Sequence, residues 1–330
     1  MRILVTGGAG LIGSSLIRKY LDRGHDVLAV DTFTYGYAAR PSAGIEEAIS
    51  VRLDCLLDGA RIERCSTLEK SRMRRLFGEF RPDCVVHLAA IPLVEVATKN
   101  VEAAADSLSV GLINVLEILR EAPWTSRFVY ASSSMVYGNF VLDPMPEDGP
   151  KAPLNIYGGL KLAGEILTRS YLHPTGIDHV IVRPSSVYGP TDQHRRVVQK
   201  FCENALDGKP VRVNDRNDHI MDFTYVADIA EGFYLASTHP NARNETFNMT
   251  YGQARTLSEL VEVIRQSEPG LGLSQEDIDD SDRPTRGSLR IDKARRLLGY
   301  APQWPLERGI PVYLEHLRGA RVRTRLAGVA

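Results

Sequence analysis

The sequence contains few cysteines, and neither they nor the histidines are spaced as metal ligands usually are. Cys55, Cys65, Cys84 and Cys202 are its four cysteines in 330 residues, and no two form a C-x-x-C pair. The eight histidines include no H-x-x-x-H pair. These spacings argue against a structural zinc site and against a disulfide framework. We therefore expect no metal and a reducing, cytoplasmic environment.

Long hydrophobic runs and an excess of charge are also lacking. No apolar run approaches the roughly 20 residues that a membrane span needs. The first residues, MRILVTGG, are too short before their glycines to form a signal peptide. Lys plus Arg number 40 and Asp plus Glu number 41, so no global field draws the chain to nucleic acid or to an anionic membrane. We expect neither as a partner.

What the first half of the chain does have is an alternation of short apolar runs with longer helical patterns. Strands rich in Val, Ile and Leu, separated by crossover helices, predict an α/β fold with a doubly wound parallel sheet. The predicted strands are 2–7, 26–31, 60–65, 84–90 and 127–133. The predicted helices between them are 10–24, 68–80 and 102–122.

The pattern loosens after about residue 185, which predicts a smaller α/β C-terminal lobe. Helical patterns there cover 197–210, 226–239, 256–266 and 292–299. We expect a first domain over 1–185 that carries the catalytic residues and a substrate lobe mainly over 186–330, the two being interleaved. The arginine-rich end, from Arg318 to Arg325, is expected to be a solvated, frayed terminus.

A glycine-rich turn follows the first strand and opens the first helix. Gly7, Gly10 and Gly13 in VTGGAGLIGS permit a tight turn, a close approach of backbone to a pyrophosphate, and close packing of helix against sheet. Asp31 ends the second strand, where it can accept hydrogen bonds from a ribose diol and would repel a 2′-phosphate. The spacing predicts a Rossmann domain that binds NAD rather than NADP. The neighbouring residues expected at this cofactor are Leu11, Ile12 and Thr32.

A tyrosine and a lysine stand four residues apart in NIYGGLKLAG, on one face of a predicted helix. Taken alone, a pair such as Tyr157 and Lys161 is far more often a half-buried aromatic and a surface lysine than a catalytic pair. However, Ser133 lies just after the fifth strand, and ligands of doubly wound sheets bind outside the carboxyl ends of the strands. The three side chains are therefore expected to converge beside a nicotinamide.

At this point the sequence resembles a known family, the extended short-chain dehydrogenase/reductases, and within it the NAD-dependent sugar-nucleotide epimerases and dehydratases. The resemblance runs over nearly the whole chain and is carried by TGGAGLIG, HLAA, YASSSMVYG, YGGLKLAGE, VRPSSVYGP, MDFTYVADIAEG and LLGYAP. These ordered motifs are specific for the family but not for one substrate.

The resemblance implies a role for each member of the constellation. Tyr157 would be the general base, with its pKa lowered by Lys161 and by the positive nicotinamide. Lys161 would also bind the nicotinamide ribose, and Ser133 would bind the reacting sugar hydroxyl and relay its proton. Val182, Arg183 and Pro184 are expected only to carry the sixth strand into the site. The resemblance further places Ser66, Leu88, Ala89 and Ala90 along the cofactor.

Two positions bear on which member of the family this is. Dehydratases of the family have an Asp-Glu pair after the catalytic Ser/Thr and decarboxylases a Glu, whereas this chain has Ser134 and Met135. Because methionine cannot protonate a leaving hydroxide, the resemblance favours 4-epimerisation through a 4-keto sugar. Hexuronate epimerases have a small hydroxyl residue where Ser186 stands. A UDP-glucuronate/UDP-galacturonate 4-epimerase is therefore the preferred interpretation.

The other expected substrate contacts follow the same resemblance. Ser134 and Ser186 would bind the C6 carboxylate, with Arg195 and Arg196 supplying charge unless they are a solvated helix start. Met221 replaces an arginine that commonly clasps the diphosphate, and Arg283 fits the family's other phosphate-binding arginine, with help from Arg286 or Arg216. Ser185 completes the expected set.

Other functions remain open at the level of sequence. They are an epimerase of the UDP-glucose/UDP-galactose type acting on a neutral sugar, a nucleotide-sugar reductase or decarboxylase, and a non-enzymatic dinucleotide sensor. The resemblance also implies a homodimer formed by the helices near 102–122 and 155, with a nucleotide sugar, expected to be a UDP-sugar, as the small-molecule partner.

Overall fold

The computed structural model describes residues 1–33, 43–214, 218–276 and 284–327. The strands, in chain order, are β1 (Arg2–Thr6), β2 (Asp26–Asp31), β3 (Arg61–Arg64), β4 (Cys84–His87), β5 (Arg127–Ala131), β6 (Asp178–Arg183), β7 (Val187–Tyr188), β8 (Val211–Asn214), β9 (Ile220–Asp222), β10 (Thr224–Tyr225), β11 (Glu245–Asn248), β12 (Ala254–Thr256) and β13 (Leu273–Glu276). The α-helices are α1 (Leu11–Asp22), α2 (Ala43–Val51), α3 (Lys70–Phe80), α4 (Val94–Lys99), α5 (Val101–Ala105), α6 (Gly111–Arg120), α7 (Ile156–Leu172), α8 (Val197–Leu206), α9 (Val226–Thr238), α10 (Leu257–Arg265), α11 (Asp292–Leu298) and α12 (Leu306–Ala327).

Seven parallel strands form the main sheet in the order β11-β6-β5-β4-β1-β2-β3. The predicted doubly wound α/β fold is therefore confirmed. The chain runs outward from β1 to β3 and then returns to the other side of β1 for β4. This reversal is the position at which doubly wound sheets bind ligands, outside the carboxyl ends of the strands.

The inner strands of the sheet are buried on both faces because each face of the sheet packs against its own core. In β1, Ile3 and Val5 belong to one cluster and Leu4 to the other, and all three are fully buried. Alternate residues of a strand point to opposite faces, so two buried faces produce the continuous apolar run read in the sequence. Among the described residues, no helix is both long and apolar enough to cross a membrane.

The C-terminal half contributes directly to the main sheet. Strand β11 pairs in parallel with β6 at the edge, and helix α9 packs on α1 and β5. The described residues of that half also form three small two-stranded sheets, β10-β7, β12-β9 and β13-β8. The division at about residue 185 stays a prediction, but the two halves share one sheet.

The helix predicted over 102–122 is present as α5 and α6, which are continuous through a π-helical turn at Asp106–Val110. The prediction for the arginine-rich end was wrong. Up to residue 327 the arginine-rich end is helical rather than frayed, because it continues α12. Arg318 pairs with Glu268, and Arg321 pairs with Asp207 at 2.8 Å. Buried Ile310, Tyr313 and Leu314 anchor the same helix to the core.

Candidate active site

The glycine-rich turn forms a cradle that no side chain can occupy. Gly7 has φ +70°, and a Cβ there would lie 2.7 Å from the amide nitrogen of Ala89. A Cβ at Gly13 would lie 2.3 Å from the carbonyl oxygen of Gly7. Gly10 precedes α1 without a side-chain cap, and the first turn of α1 holds no acidic residue. The helix N-terminus and the bare turn therefore suit a pyrophosphate.

Asp31 ends β2 beside this turn and holds it in place. Its Oδ2 accepts a hydrogen bond from the amide of Ala9, and its Oδ1 accepts one from the amide of Phe33, each at 2.9 Å. Burial raises the pKa of Asp31, although these hydrogen bonds and the charge of Arg52 act in the opposite direction. A carboxylate has about four acceptor sites, so each oxygen keeps capacity for a ribose hydroxyl.

The other predicted cofactor residues lie at the same edge of the sheet or near it. Leu88 follows β4, and its amide donates to the carbonyl of Thr6 at 3.0 Å. The amide of Ala89 donates to the hydroxyl of Thr6 at 3.4 Å, and Ala90 follows it. Ser66 follows β3 and caps the next turn by accepting from the amide of Leu68. Leu11 and Ile12 begin α1, and Thr32 is exposed just beyond β2.

Lys161 and Tyr157 are brought together with the end of β5, as predicted. Helix α7 begins after Asn155, whose side-chain oxygen accepts from the amide of Gly158 at 2.8 Å. One turn further, the ammonium of Lys161 donates to the carbonyl of Ala131 at 2.6 Å and lies 5.9 Å from the centroid of the Tyr157 ring. Lys161 is only 3% exposed. The helix thus fixes a buried cation beside the phenol.

The electrostatics of this pair are dominated by burial. Burial raises the pKa of Tyr157, although the charge of Arg196 and the hydroxyl of Ser133 act to lower it. Burial also lowers the pKa of Lys161 to about 7, against the effect of Glu165. Both groups are deeply buried, and burial penalises the charged form of each. Among the protein groups, burial therefore outweighs the effects that lower the pKa of Tyr157, and the expected lowering by Lys161 and the nicotinamide together stays a prediction.

A buried network that sequence reasoning missed supports the catalytic helix. Glu165, one turn after Lys161, accepts from both Nε and Nη2 of Arg183 at 2.7 Å and from the hydroxyl of Ser132 at 2.6 Å. Arg183 also donates to the hydroxyl of Tyr137, which in turn donates to Asn248 of β11. Arg183 was expected only to continue the sixth strand into the site, but it also binds the Glu165 carboxylate of the catalytic helix. The available signal was an acidic residue at i+4 from Lys161, on the same helical face.

A second cluster lies beside Ser133. The guanidinium of Arg286 donates to the hydroxyl of Ser134 at 2.5 Å and to that of Ser185 at 2.7 Å. Both of these hydrogen bonds come from Nη2, and Nη1 lies 3.4 Å from the sulfur of Met135. Sequence reasoning considered Arg286 only as an assistant at the diphosphate. Its position at the serines depended on a fold in which residues about 100 to 150 apart meet.

Of the remaining predicted substrate residues, some lie at the site and one faces solvent. Ser186 has φ +40°, and its buried hydroxyl has no hydrogen-bond partner among the described residues. Arg196 lies near Tyr157 and donates to the carbonyl of Pro92 at 3.3 Å. In contrast, the Arg195 side chain is 67% exposed and pairs with Glu203 at 3.1 Å. The structure therefore corrects the expected role of Arg195, because its charge is directed to solvent.

Two positions concern the diphosphate. Met221 lies in β9, opposite Arg255 of β12, and packs partly against the core. Arg283, the arginine expected to bind phosphate, lies outside the described residues, as does Arg216. Among the described residues, no cluster of three or more potential metal ligands occurs. The expectation that the protein carries no metal stays a prediction.

The fold and the site define a dinucleotide-binding enzyme of the doubly wound α/β class. Residues 3–250 match the model of the NAD dependent epimerase/dehydratase family, and the chain belongs to that family. The predicted family, and NAD as its cofactor, are confirmed. The glycine cradle, Asp31 and Lys161 fit NAD, and they are the residues that would hold it.

Similar proteins include both epimerases and dehydratases. A putative UDP-glucose 4-epimerase from Methanocaldococcus jannaschii is 31% identical, with 93% of this chain and 95% of that protein covered. A dTDP-glucose 4,6-dehydratase from Neisseria meningitidis is 30% identical, with coverage of 94% and 91%. The solved UDP-glucuronic acid 4-epimerase from Bacillus cereus, in complex with UDP-glucuronic acid and NAD, gives a TM-score of 0.85 at 26% identity, with coverage of 97% and 99%.

Proposed function

We propose that this protein is an NAD-dependent nucleotide-sugar 4-epimerase that interconverts UDP-glucuronate and UDP-galacturonate. The observation that carries the proposal is the end of β5, where Ser133 lies beside Tyr157 and is followed by Ser134 and Met135 rather than by acids. Such a site has a base for a sugar hydroxyl but no acid at these positions to expel a second one.

Each residue of the constellation has one task in this reaction. Tyr157 removes the proton from the C4 hydroxyl, and Ser133 holds that hydroxyl and relays the proton. Lys161 stabilises the tyrosinate with its charge and holds the ribose of the cofactor. NAD, when bound, would take the hydride from C4 and give it back on the opposite face of the resulting 4-keto sugar. Tyr157 returns the proton to the C4 oxygen.

The principal alternative is a 4,6-dehydratase, because dehydratases are among the relatives. Elimination from C6 needs a group that protonates the leaving hydroxide. Glu165 is held by Arg183, and Asp222 accepts hydrogen bonds from Thr250, Gly252 and Leu289. Neither fully buried carboxylate is therefore free to act as that acid, which favours the epimerase.

The choice of a hexuronate over a neutral hexose is supported by hydroxyl groups near the reacting carbon. Ser134 follows Ser133 directly, and the buried hydroxyl of Ser186 has no hydrogen-bond partner in the described part of the chain. Hydroxyls can donate to a carboxylate, and a buried donor without a partner is costly until a ligand satisfies it. Arg195 is withdrawn from the proposed contacts because its side chain faces solvent.

A homodimer is also proposed. Val101 of α5, Val110 of the π-helical turn and Ile166 of α7 are large apolar side chains, each between 43% and 56% exposed. Helices α5 and α6 lie against α7, so these side chains belong to the helical layer expected to pair. Sedimentation should give twice the chain mass, and replacing Ile166 by Lys should shift it to one chain mass.

The decisive experiment is to incubate the purified protein with UDP-glucuronate deuterated at C4. We expect UDP-galacturonate with the label retained and no accumulation of reduced cofactor. Parallel incubations with UDP-glucose and dTDP-glucose serve as comparison. Loss of the C6 hydroxyl from dTDP-glucose would indicate a dehydratase, release of CO₂ a decarboxylase, and faster interconversion of neutral UDP-hexoses the other epimerase type. Any of these outcomes would overturn the proposal.

A further inference from the structure

Within the described residues, no carboxylate oxygen lies within 4.0 Å, the limit for an ion pair, of the guanidinium of Arg286. Its two strong hydrogen bonds go to neutral hydroxyls, those of Ser134 and Ser185. Asp222 is near enough to influence its charge, but both oxygens of Asp222 are used by Thr250 and backbone amides.

The side chain is shielded yet still partly accessible. Burial lowers the pKa of Arg286 to about 10, so the group stays positive at neutral pH. A shielded charge without a partner is costly, and an anionic ligand removes that cost. The guanidinium has five N–H donors, of which the two serines and the weak sulfur acceptor of Met135 use three. Two donors remain for a ligand.

The location of the guanidinium selects which part of a nucleotide sugar it meets. Ser134 follows the serine that contacts the Tyr157 phenol, and its amide donates to the carbonyl of Pro184 at 2.9 Å. Ser185 comes next in the chain after Pro184. Arg286 therefore lies against the two segments that flank the reacting hydroxyl. In a hexose, C6 is attached to C5, the ring neighbour of C4, so a C6 substituent is the nearest group that can carry a negative charge.

We propose that Arg286 binds the C6 carboxylate of the substrate and sets the preference for a hexuronate over a neutral hexose. The inference rests on the proposed function and adds to it the residue that decides the substrate class. Ser134 and Ser185 accept both hydrogens of Nη2, so the donors that remain are Nε–H and one hydrogen of Nη1, on different edges of the guanidinium. One of these donors, together with the positive charge, would bind a carboxylate oxygen.

The inference is tested by binding, in a Tyr157→Phe background that prevents turnover. Calorimetry would compare UDP-glucuronate with UDP-glucose before and after adding Arg286→Met. We expect UDP-glucuronate to bind about 30-fold or more tightly than UDP-glucose, as is typical of a shielded charge pair. Adding Arg286→Met should remove that preference and leave the affinity for UDP-glucose within about threefold.

Arg290→Met is the matched control, because Arg290 lies four residues further on and its side chain is exposed. It should leave the preference intact. Arg286→Lys keeps the positive charge and should retain part of the preference, and it serves if Arg286→Met does not fold. Retained NAD and an unchanged thermal midpoint verify the fold. Equal weakening of both ligands, or no initial preference, would overturn the inference.

A separate measurement keeps the two proposals distinguishable. Turnover of UDP-glucuronate by the unaltered enzyme tests the 4-epimerase reaction. If the Arg286-dependent preference is found but no UDP-galacturonate forms, the reaction is wrong and the carboxylate contact stands. If UDP-galacturonate forms and Arg286→Met loses activity equally on both sugars, the reaction stands and the assignment of Arg286 is wrong.

Discussion

Glu165 and Arg183 form a bidentate ion pair in the interior, with both N–O distances at 2.7 Å and side-chain exposures of 0% and 1%. The pair joins α7, which carries Tyr157 and Lys161, to β6. Burial alone would raise the pKa of Glu165, but the hydrogen bonds and charge of Arg183 hold it below its ordinary value. The geometry of the catalytic helix therefore depends on a charge pair that touches none of the expected reactants.

The first prediction concerns this pair. Arg183→Met leaves the Glu165 carboxylate buried without its partner, and we expect the free energy of unfolding to fall by about 3–5 kcal/mol. Arg169→Met is the matched control, since Arg169 is 44% exposed and lies 3.6 Å from the same carboxylate; it should cost about 1 kcal/mol or less. Urea denaturation measures both, and equal losses would contradict the assigned role.

The second prediction concerns pH. The pKa of Lys161 is lowered to about 7 in the folded protein from 10.5, mainly by burial. Between these values the unfolded chain holds more protons than the folded one, so this residue makes the free energy of unfolding rise with pH. From pH 7 to pH 9 the nucleotide-free protein should gain on the order of a few kcal/mol relative to Lys161→Met. Parallel profiles of protein and variant would contradict it.

The third prediction concerns Tyr157. Tyr157→Phe removes the phenol oxygen while keeping the ring, so NAD and nucleotide sugar should still bind. We expect kcat to fall by about 10²-fold or more, which is the usual contribution of a positioned general base. Tyr171→Phe is the control, because Tyr171 is a partly buried tyrosine of the same helix that packs on the core cluster containing Leu4. It should leave kcat unchanged. Full activity of Tyr157→Phe would remove the base assignment.

The fourth prediction concerns the glycine turn. A Cβ at Gly13 would lie 2.3 Å from the carbonyl oxygen of Gly7, so Gly13→Ala must push apart α1 and the turn. We expect NAD to be lost on purification. Gly78→Ala is the control, since nothing lies within 4 Å of a Cβ built there in α3, and alanine is the better helix former. Retention of NAD by Gly13→Ala would show that the turn adapts.

Local rules predicted the parts of the protein whose signals lie close together in sequence. The strand, glycine turn and helix at the start of the chain, and the Tyr157–Lys161 pair one helical turn apart, depend on short-range geometry. The helix over 102–122 was predicted as well, but its π-helical turn at Asp106–Val110 was not, because no proline signals it. The direction of the Arg195 side chain could not be predicted from the sequence either, since a charge at the start of a helix can face either a ligand or solvent.

The sequence by itself determined the doubly wound sheet, the NAD-binding end and the identity of the base, because apolar periodicity and fixed spacings encode each of them. Only the tertiary structure decided which groups surround the base. Arg183 meets Glu165 across 18 residues, and Arg286 meets Ser134 across 152. Contacts between segments so far apart are set by how helices and strands pack, and no pattern within either segment records its partner.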